Sequence, residues 1–257
     1  MSRLHKPKAG FWIRLCATII VPLTQALYRI RWTNLEGITP PERGGVILAM
    51  NHTSHMDTLL MARLGWQAGR IPRFMIKASL FHKPGTGQIF RGSKQIPVYR
   101  GTTDAAQSLR DAVTALARGE AIAIYPEGTI TRAPGQWPMQ GKTGIARLWL
   151  LSPDTPVIPI GQWGAHELLY PYAKRPHLVP RATITMKVGD PVPLDDLRAM
   201  PHTQDVINQA TARIMDALTH LVEDLRGEKA PAERFDPRKK GMSETGDFRK
   251  PERRKKA

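Results

Sequence analysis

Three short stretches of this chain are apolar at nearly every position: Val46-Ile47-Leu48-Ala49-Met50 after Gly44-Gly45, Ala121–Tyr125 and Val157–Ile160. Runs of this length without alternation predict strands covered on both faces. Arg73–Ile76, Gln95–Tyr99 and Thr183–Val188 are further strand candidates. Other stretches carry the helical period. From Thr103 to Arg118, Leu109, Val113 and Leu116 share a face, Thr103 or Asp104 suits the N-cap, and Gly119 ends the run. From Gln204 to Arg226, Ile207, Ala210, Ile214, Leu218, Leu221 and Leu225 recur about every 3.6 residues, and Gly227 stops them. Met56–Leu64 and Lys142–Leu151 also read as helices. Strands alternating with helices predict an α/β domain with a mixed sheet flanked by helices.

The 257 residues suit one such domain with appended ends. Residues 11–28 are the one long apolar stretch, but Arg14, Pro22 and Gln25 interrupt it. A spanning helix wants about 20 mostly apolar residues, and Leu27-Tyr28-Arg29 is no signal-peptidase site. The stretch reads as a helical segment in the membrane interface, with Trp12 and Tyr28 as aromatic anchors. A buried core helix is the other reading. The expected layout is therefore a basic membrane-interface segment at 1–31, a folded domain at 32–226 and a tail at 227–257. The tail has three Pro, many charges and only two aromatics, Phe235 and Phe248, and is expected to stay unfolded.

Charge sharpens this layout. The net charge is +16; residues 1–31 carry six Lys/Arg and no acid, and residues 227–257 carry eleven against six acids. Basic ends favour a polyanion, either nucleic acid or an anionic membrane. One cysteine, Cys16, excludes an intrachain disulfide and a Cys-rich zinc site.

Two segments carry candidate chemistry. Asn51-His52-Thr53-Ser54-His55-Met56-Asp57 follows the strand at 46–50. On a regular helix His52 and Asp57 would stand about 140° apart. With His52 in the loop before the helix, the imidazole can fold back onto Asp57. An aspartate on one ring nitrogen fixes the tautomer and leaves the other nitrogen as a general base. The same residues also suit plain capping, and His52, His55 and Asp57 are possible metal ligands, although the remaining histidines form no partner motif. Tyr125-Pro126-Glu127-Gly128-Thr129 likewise follows a strand; Glu127 there suits a hydroxyl or a cation, and Gly128 allows close backbone approach. Arg100, closing Gly92–Arg100, and Lys142, after Gly141, suit phosphate groups.

His52 and Asp57 preceded by Asn51, then Gly92–Arg100, then Pro126-Glu127-Gly128-Thr129, then Val157-Ile158-Pro159-Ile160 resemble the four ordered blocks of the glycerolipid acyltransferases, most of all the 1-acylglycerol-3-phosphate acyltransferases. The resemblance implies a single glycerolipid-acyltransferase-like domain. It also implies acyl transfer from a thioester, acyl-CoA or acyl carrier protein, to a glycerol-phosphate hydroxyl, that of 1-acylglycerol-3-phosphate in the first place and of another lysophospholipid or glycerol-3-phosphate as the alternative, without metal or other cofactor. In that scheme His52 is the base and Asp57 orients it. Arg100 holds the acceptor phosphate, Glu127, Gly128 and Thr129 bind the acceptor, and Asn51, Arg132 and Lys142 join them as substrate-binding residues. Pro159 shapes the acyl side, and an amide of the Gly128 turn is a plausible oxyanion donor. The third block usually continues with Arg; here Ile130 takes that place, and Arg132, two residues later, is the substitute for it in a different geometry. The resemblance turns the expected polyanion from nucleic acid to an anionic phospholipid membrane, at its cytoplasmic face.

Overall fold

The computed structural model describes residues 9–38, 44–99 and 105–242. Its elements run α1 (Phe11–Leu27), β1 (Tyr28–Thr33), β2 (Val46–Met50), α2 (Asp57–Gln67), β3 (Pro72–Lys77), α3 (Thr86–Gly92), β4 (Ile96–Val98), α4 (Ala105–Ala117) and β5 (Ala121–Ile124). They continue with α5 (Gly144–Leu150), β6 (Val157–Trp163), α6 (Ala165–Leu168), β7 (Ala182–Val188), α7 (Asp195–Arg198) and α8 (Gln204–Arg226). The strands form one sheet in the order β1-β7-β6-β2-β5-β3-β4. All neighbours are parallel except β6 and β7. The expected mixed α/β architecture is what forms.

The apolar runs earn their place by burying both faces. In β2, Ile47 and Ala49 join Ile122 of β5 and Val157 of β6 under α4, α5 and α8. Val46, Leu48 and Met50 join Ala123 and Ile160 on the opposite face, under α2 and α6. At α8 the Thr203 hydroxyl accepts from the Val206 N–H, and Gly227 ends the helix at φ +67, the left-handed stop that glycine adopts without a Cβ penalty.

Three expectations change. Tyr28–Thr33 is not part of a membrane segment but the edge strand β1, in register with Ala182–Lys187, so the anticipated boundary at residue 31 falls inside a strand. Tyr28 is buried, with its hydroxyl donating to Ala165 O at 3.4 Å. The Trp12 ring packs against Gly92, where a Cβ would come within 2.2 Å of it. Tyr28 is therefore core and not a membrane anchor, whereas Trp12 stays half-buried on α1. Last, residues 227–242 of the expected unfolded tail lie against the domain. Phe235 packs with Trp137, Met139 and Val222, and its carbonyl accepts from Gln140 N at 2.9 Å. Arg234 pairs with Asp216. One aromatic and a few directed bonds suffice where composition alone argued for disorder. Residues 1–8 and 243–257, including Phe248, and the helix-cap candidates Thr103 and Asp104 lie outside the described residues.

Candidate active site

Because β2, β5 and β6 are parallel neighbours, their C-terminal ends open on one edge of the sheet, where ligands of open α/β folds bind. The loop after β2 carries His52, the loop after β5 carries Glu127 to Thr129, and β6 ends at Gln162-Trp163. His52 stays outside α2, which begins at Asp57, and its Nδ1 meets Asp57 Oδ2 at 2.8 Å. The pairing that a regular helix would forbid is thus made by the loop.

Asp57 is fully buried. Its Oδ2 also accepts the N–H groups of Thr53 at 2.6 Å and Ser54 at 2.8 Å, and its Oδ1 accepts Gln162 Nε2 at 3.1 Å. Four contacts on one carboxylate fix its orientation. The imidazole stacks on the Tyr125 ring, centroids 4.2 Å apart, and lines the cavity described below.

Glu127 was expected to touch the acceptor. Instead its Oε1 accepts the His52 N–H at 2.9 Å and its Oε2 the Met139 N–H at 3.0 Å, while Thr131 N donates to His52 O at 2.7 Å. Glu127 clamps the histidine loop to the β5 loop. Burial pushes its carboxyl up to about 8, against the pull of the two N–H donors. A carboxyl whose folded pKa is raised contributes stability that is full below its unfolded value of 4.5 and falls as pH rises toward about 8. Wild type should therefore lose stability relative to Glu127→Gln across that range. Denaturant titrations of both proteins check this; a difference independent of pH would show Glu127 ionised throughout.

Asn51, also expected at the substrate, is a brace. It pairs both ways with the backbone of Gln162, donating to its O at 3.0 Å and accepting from its N at 2.9 Å. Pro159 sits buried in the middle of β6, opposite Ala49, away from the cavity. The side chain of that strand that reaches the His52–Asp57 pair is Gln162, which bridges Asp57 and, at 2.7 Å, Thr53 Oγ1. The signal was present: it is the one side chain with hydrogen-bonding capacity inside the buried run Val157-Ile-Pro-Ile-Gly-Gln162.

A cavity of about 620 Å³ opens beside His52. Phe74, Ile76, Val98 and Leu109 make its apolar walls, and Gly128, Lys142 and Arg147 are among its other lining residues. Gly128 has φ +72, and the Lys142 chain lies over it, so a Cβ there would come within 3.0 Å of Lys142 Cδ. Lys142 precedes α5 rather than sitting in it. The Gly128 amide is engaged within its own turn, donating to Tyr125 O at 2.9 Å. Thr129 Oγ1 stands 3.4 Å from the Tyr172 hydroxyl. Arg132, the proposed substitute for the displaced third-block Arg, is buried, with its N–H on Met139 Sδ, and does not line this cavity. Arg100 lies outside the described residues. A second, almost wholly apolar pocket of about 250 Å³ lies between α1, α2, β3 and α3 and shares Thr58, Phe74 and Ile76 with the first.

A family model described as Acyltransferase matches residues 29–163, which include the His52–Asp57 pair, Glu127 and Gln162. The chain belongs to this acyltransferase family. Among relatives, the N-acylphosphatidylethanolamine synthase of Arabidopsis thaliana is 29% identical over 180 residues, which cover 63% of this chain and 60% of that protein. Less than two thirds of that relative's length is thus spanned. The crystal structure of the 1-acyl-sn-glycerophosphate (LPA) acyltransferase PlsC from Thermotoga maritima superposes with a TM-score of 0.62 at 20% identity, over 85% of this chain and 81% of that one. The acyltransferase fold thus extends over most of the chain, beyond the span of the family model.

Proposed function

We propose that this acyltransferase moves a fatty acyl group from an acyl thioester, acyl-CoA or acyl carrier protein, to the sn-2 hydroxyl of 1-acylglycerol-3-phosphate, giving phosphatidic acid. The observation that carries the reading is the His52–Asp57 pair, held at 2.8 Å beside a cavity lined by both apolar and basic side chains. The acceptor hydroxyl gives its proton to the ring nitrogen of His52 that Asp57 leaves free, and its oxygen attacks the thioester carbonyl. Asp57 stabilises the imidazolium so formed. The tetrahedral intermediate then collapses: the C–S bond breaks, and the imidazolium proton passes to the departing thiolate, leaving ester, free thiol and neutral His52. Lys142 and Arg147 suit the phosphate of the acceptor or donor, joined by Arg100, and the apolar pocket behind Phe74 suits an alkyl chain. Residues 9–27 are proposed to lie in the interface of an anionic bilayer, at its cytoplasmic face. They hold no acid, and Phe11, Leu15, Ile19 and Leu23 of α1 stay exposed. No helix among the described residues is long and apolar enough to cross a membrane.

A second reading has an observation of its own. Ile130, buried at the third-block Arg position, and Arg132, away from the cavity, remove one phosphate contact. The 29% identical relative is by name an N-acylphosphatidylethanolamine synthase. An amine acceptor would use the same base and the same thioester. Thiol release by the purified protein, measured with one acyl-CoA and a panel of acceptors, separates the two. Lysophosphatidic acid is expected to give the highest kcat/KM. A higher value with phosphatidylethanolamine, and an amide product, would replace the first reading by the second.

A further inference from the structure

The loop between α6 and β7, residues 169–181, is tied to the active site at one end and to α1 at the other. At the site end, Leu169 O accepts from Ser54 Oγ at 2.7 Å, within the histidine loop. Tyr172 meets the Thr129 hydroxyl and stands edge-on to the His55 ring, centroids 5.6 Å apart. At the far end, Arg181 donates to the carbonyls of Gln25 and Tyr28, where α1 ends and β1 begins. Between these two ties the loop turns apolar side chains outward: Tyr170 is 59%, Leu178 54% and Val179 81% exposed. Lys174, Arg175 and Arg181 supply positive charge, and the loop has no acidic residue.

Apolar side chains left in water beside unopposed basic ones, next to a helix with the same character, fit an anionic lipid surface. We infer that loop 169–181 is a second membrane contact, which lowers Leu178 and Val179 into an anionic bilayer. Through Arg181, Tyr172 and Leu169 it sets the mouth of the His52 site against the surface from which its lipids come. This rests on the interfacial reading of α1. An acidic protein such as an acyl carrier would be drawn to Lys174 and Arg175 but gives no reason for exposed Leu178 and Val179, so the bilayer is the better occupant.

The test uses the full chain and vesicles of phosphatidylcholine with and without phosphatidylglycerol. The variant Leu178→Asp/Val179→Asp is expected to bind vesicles about tenfold more weakly or worse, while keeping its melting temperature and its thiol release with detergent-dispersed substrates. Lys174→Ala/Arg175→Ala is expected to lose much of the preference for phosphatidylglycerol. Phe11→Asp/Ile19→Asp tests α1 separately. If the α1 variant detaches while both loop variants bind as wild type does, the loop contact is wrong and the α1 reading stands. If none of the three detaches, both fall. If Leu178→Asp/Val179→Asp does not fold, the Lys174→Ala/Arg175→Ala result decides, and an unchanged lipid preference overturns the proposal. A raised KM for acyl carrier protein in that variant, with unchanged vesicle binding, would assign the loop to the donor instead.

Discussion

Replacing His52 by alanine is expected to lower turnover by about 10²–10⁴-fold, the range lost with a positioned general base, while the protein stays folded. The geometry separates the two effects. The imidazole lines the cavity, stacked on Tyr125 and bonded to Asp57. Without it, Asp57 keeps the N–H groups of Thr53 and Ser54 and the amide of Gln162, so no buried charge is stranded and the stability cost is on the order of 1 kcal/mol. The backbone of residue 52 also keeps its bonds to Glu127 and Thr131, which holds the loop in place for any side chain. Thiol release with acyl-CoA and lysophosphatidic acid, alongside a thermal melt, measures both quantities. Near-normal turnover by a folded variant would remove His52 from the chemistry.

What the sequence made legible follows from how local each signal is. Strands β2, β5 and β6 stand out because burial on both faces demands an unbroken apolar run, and α8 because its cap, period and terminating glycine lie within one window. His52 and Asp57 could be paired because five residues of loop and first turn bring them together. The misreadings concern partners far apart in sequence. A glutamate at a strand end shows its charge, but not that Met139 and His52 N–H groups will occupy both oxygens. Asn51 and Gln162 are 111 residues apart, so their mutual brace is invisible until β2 and β6 are set side by side. Tyr28 flanks an apolar segment as a membrane anchor would, and only its register with Ala182 makes it core. Helix α3, of seven residues, is too short to display a period.

Asp57→Asn is expected to cost about 10²-fold or more in turnover, as the loss of one charge-assisted contact to a forming imidazolium, and about 1–3 kcal/mol of stability, the cost of one buried donor left unpaired. Three donors converge on the Oδ2 position, so the asparagine must place its oxygen there and its amide nitrogen toward Gln162. That amide can turn over and offer its Oε1, which has no hydrogen-bond partner among the described residues, to both the new nitrogen and the Thr53 hydroxyl, but its Nε2 then takes the place of that unpartnered atom and is left buried without an acceptor. His52 keeps its orientation and tautomer, and the deficit isolates the negative charge. Adding Gln162→Glu to this variant returns a carboxylate to the same buried network and should recover part of the turnover. In the wild-type background Gln162→Glu instead sets two carboxylates about one hydrogen bond apart and should lower the melting temperature markedly. Turnover and melting curves of the three proteins form the test. A double variant no faster than Asp57→Asn alone would mean that the position of the charge at residue 57, and not its presence beside the imidazole, is what the reaction requires.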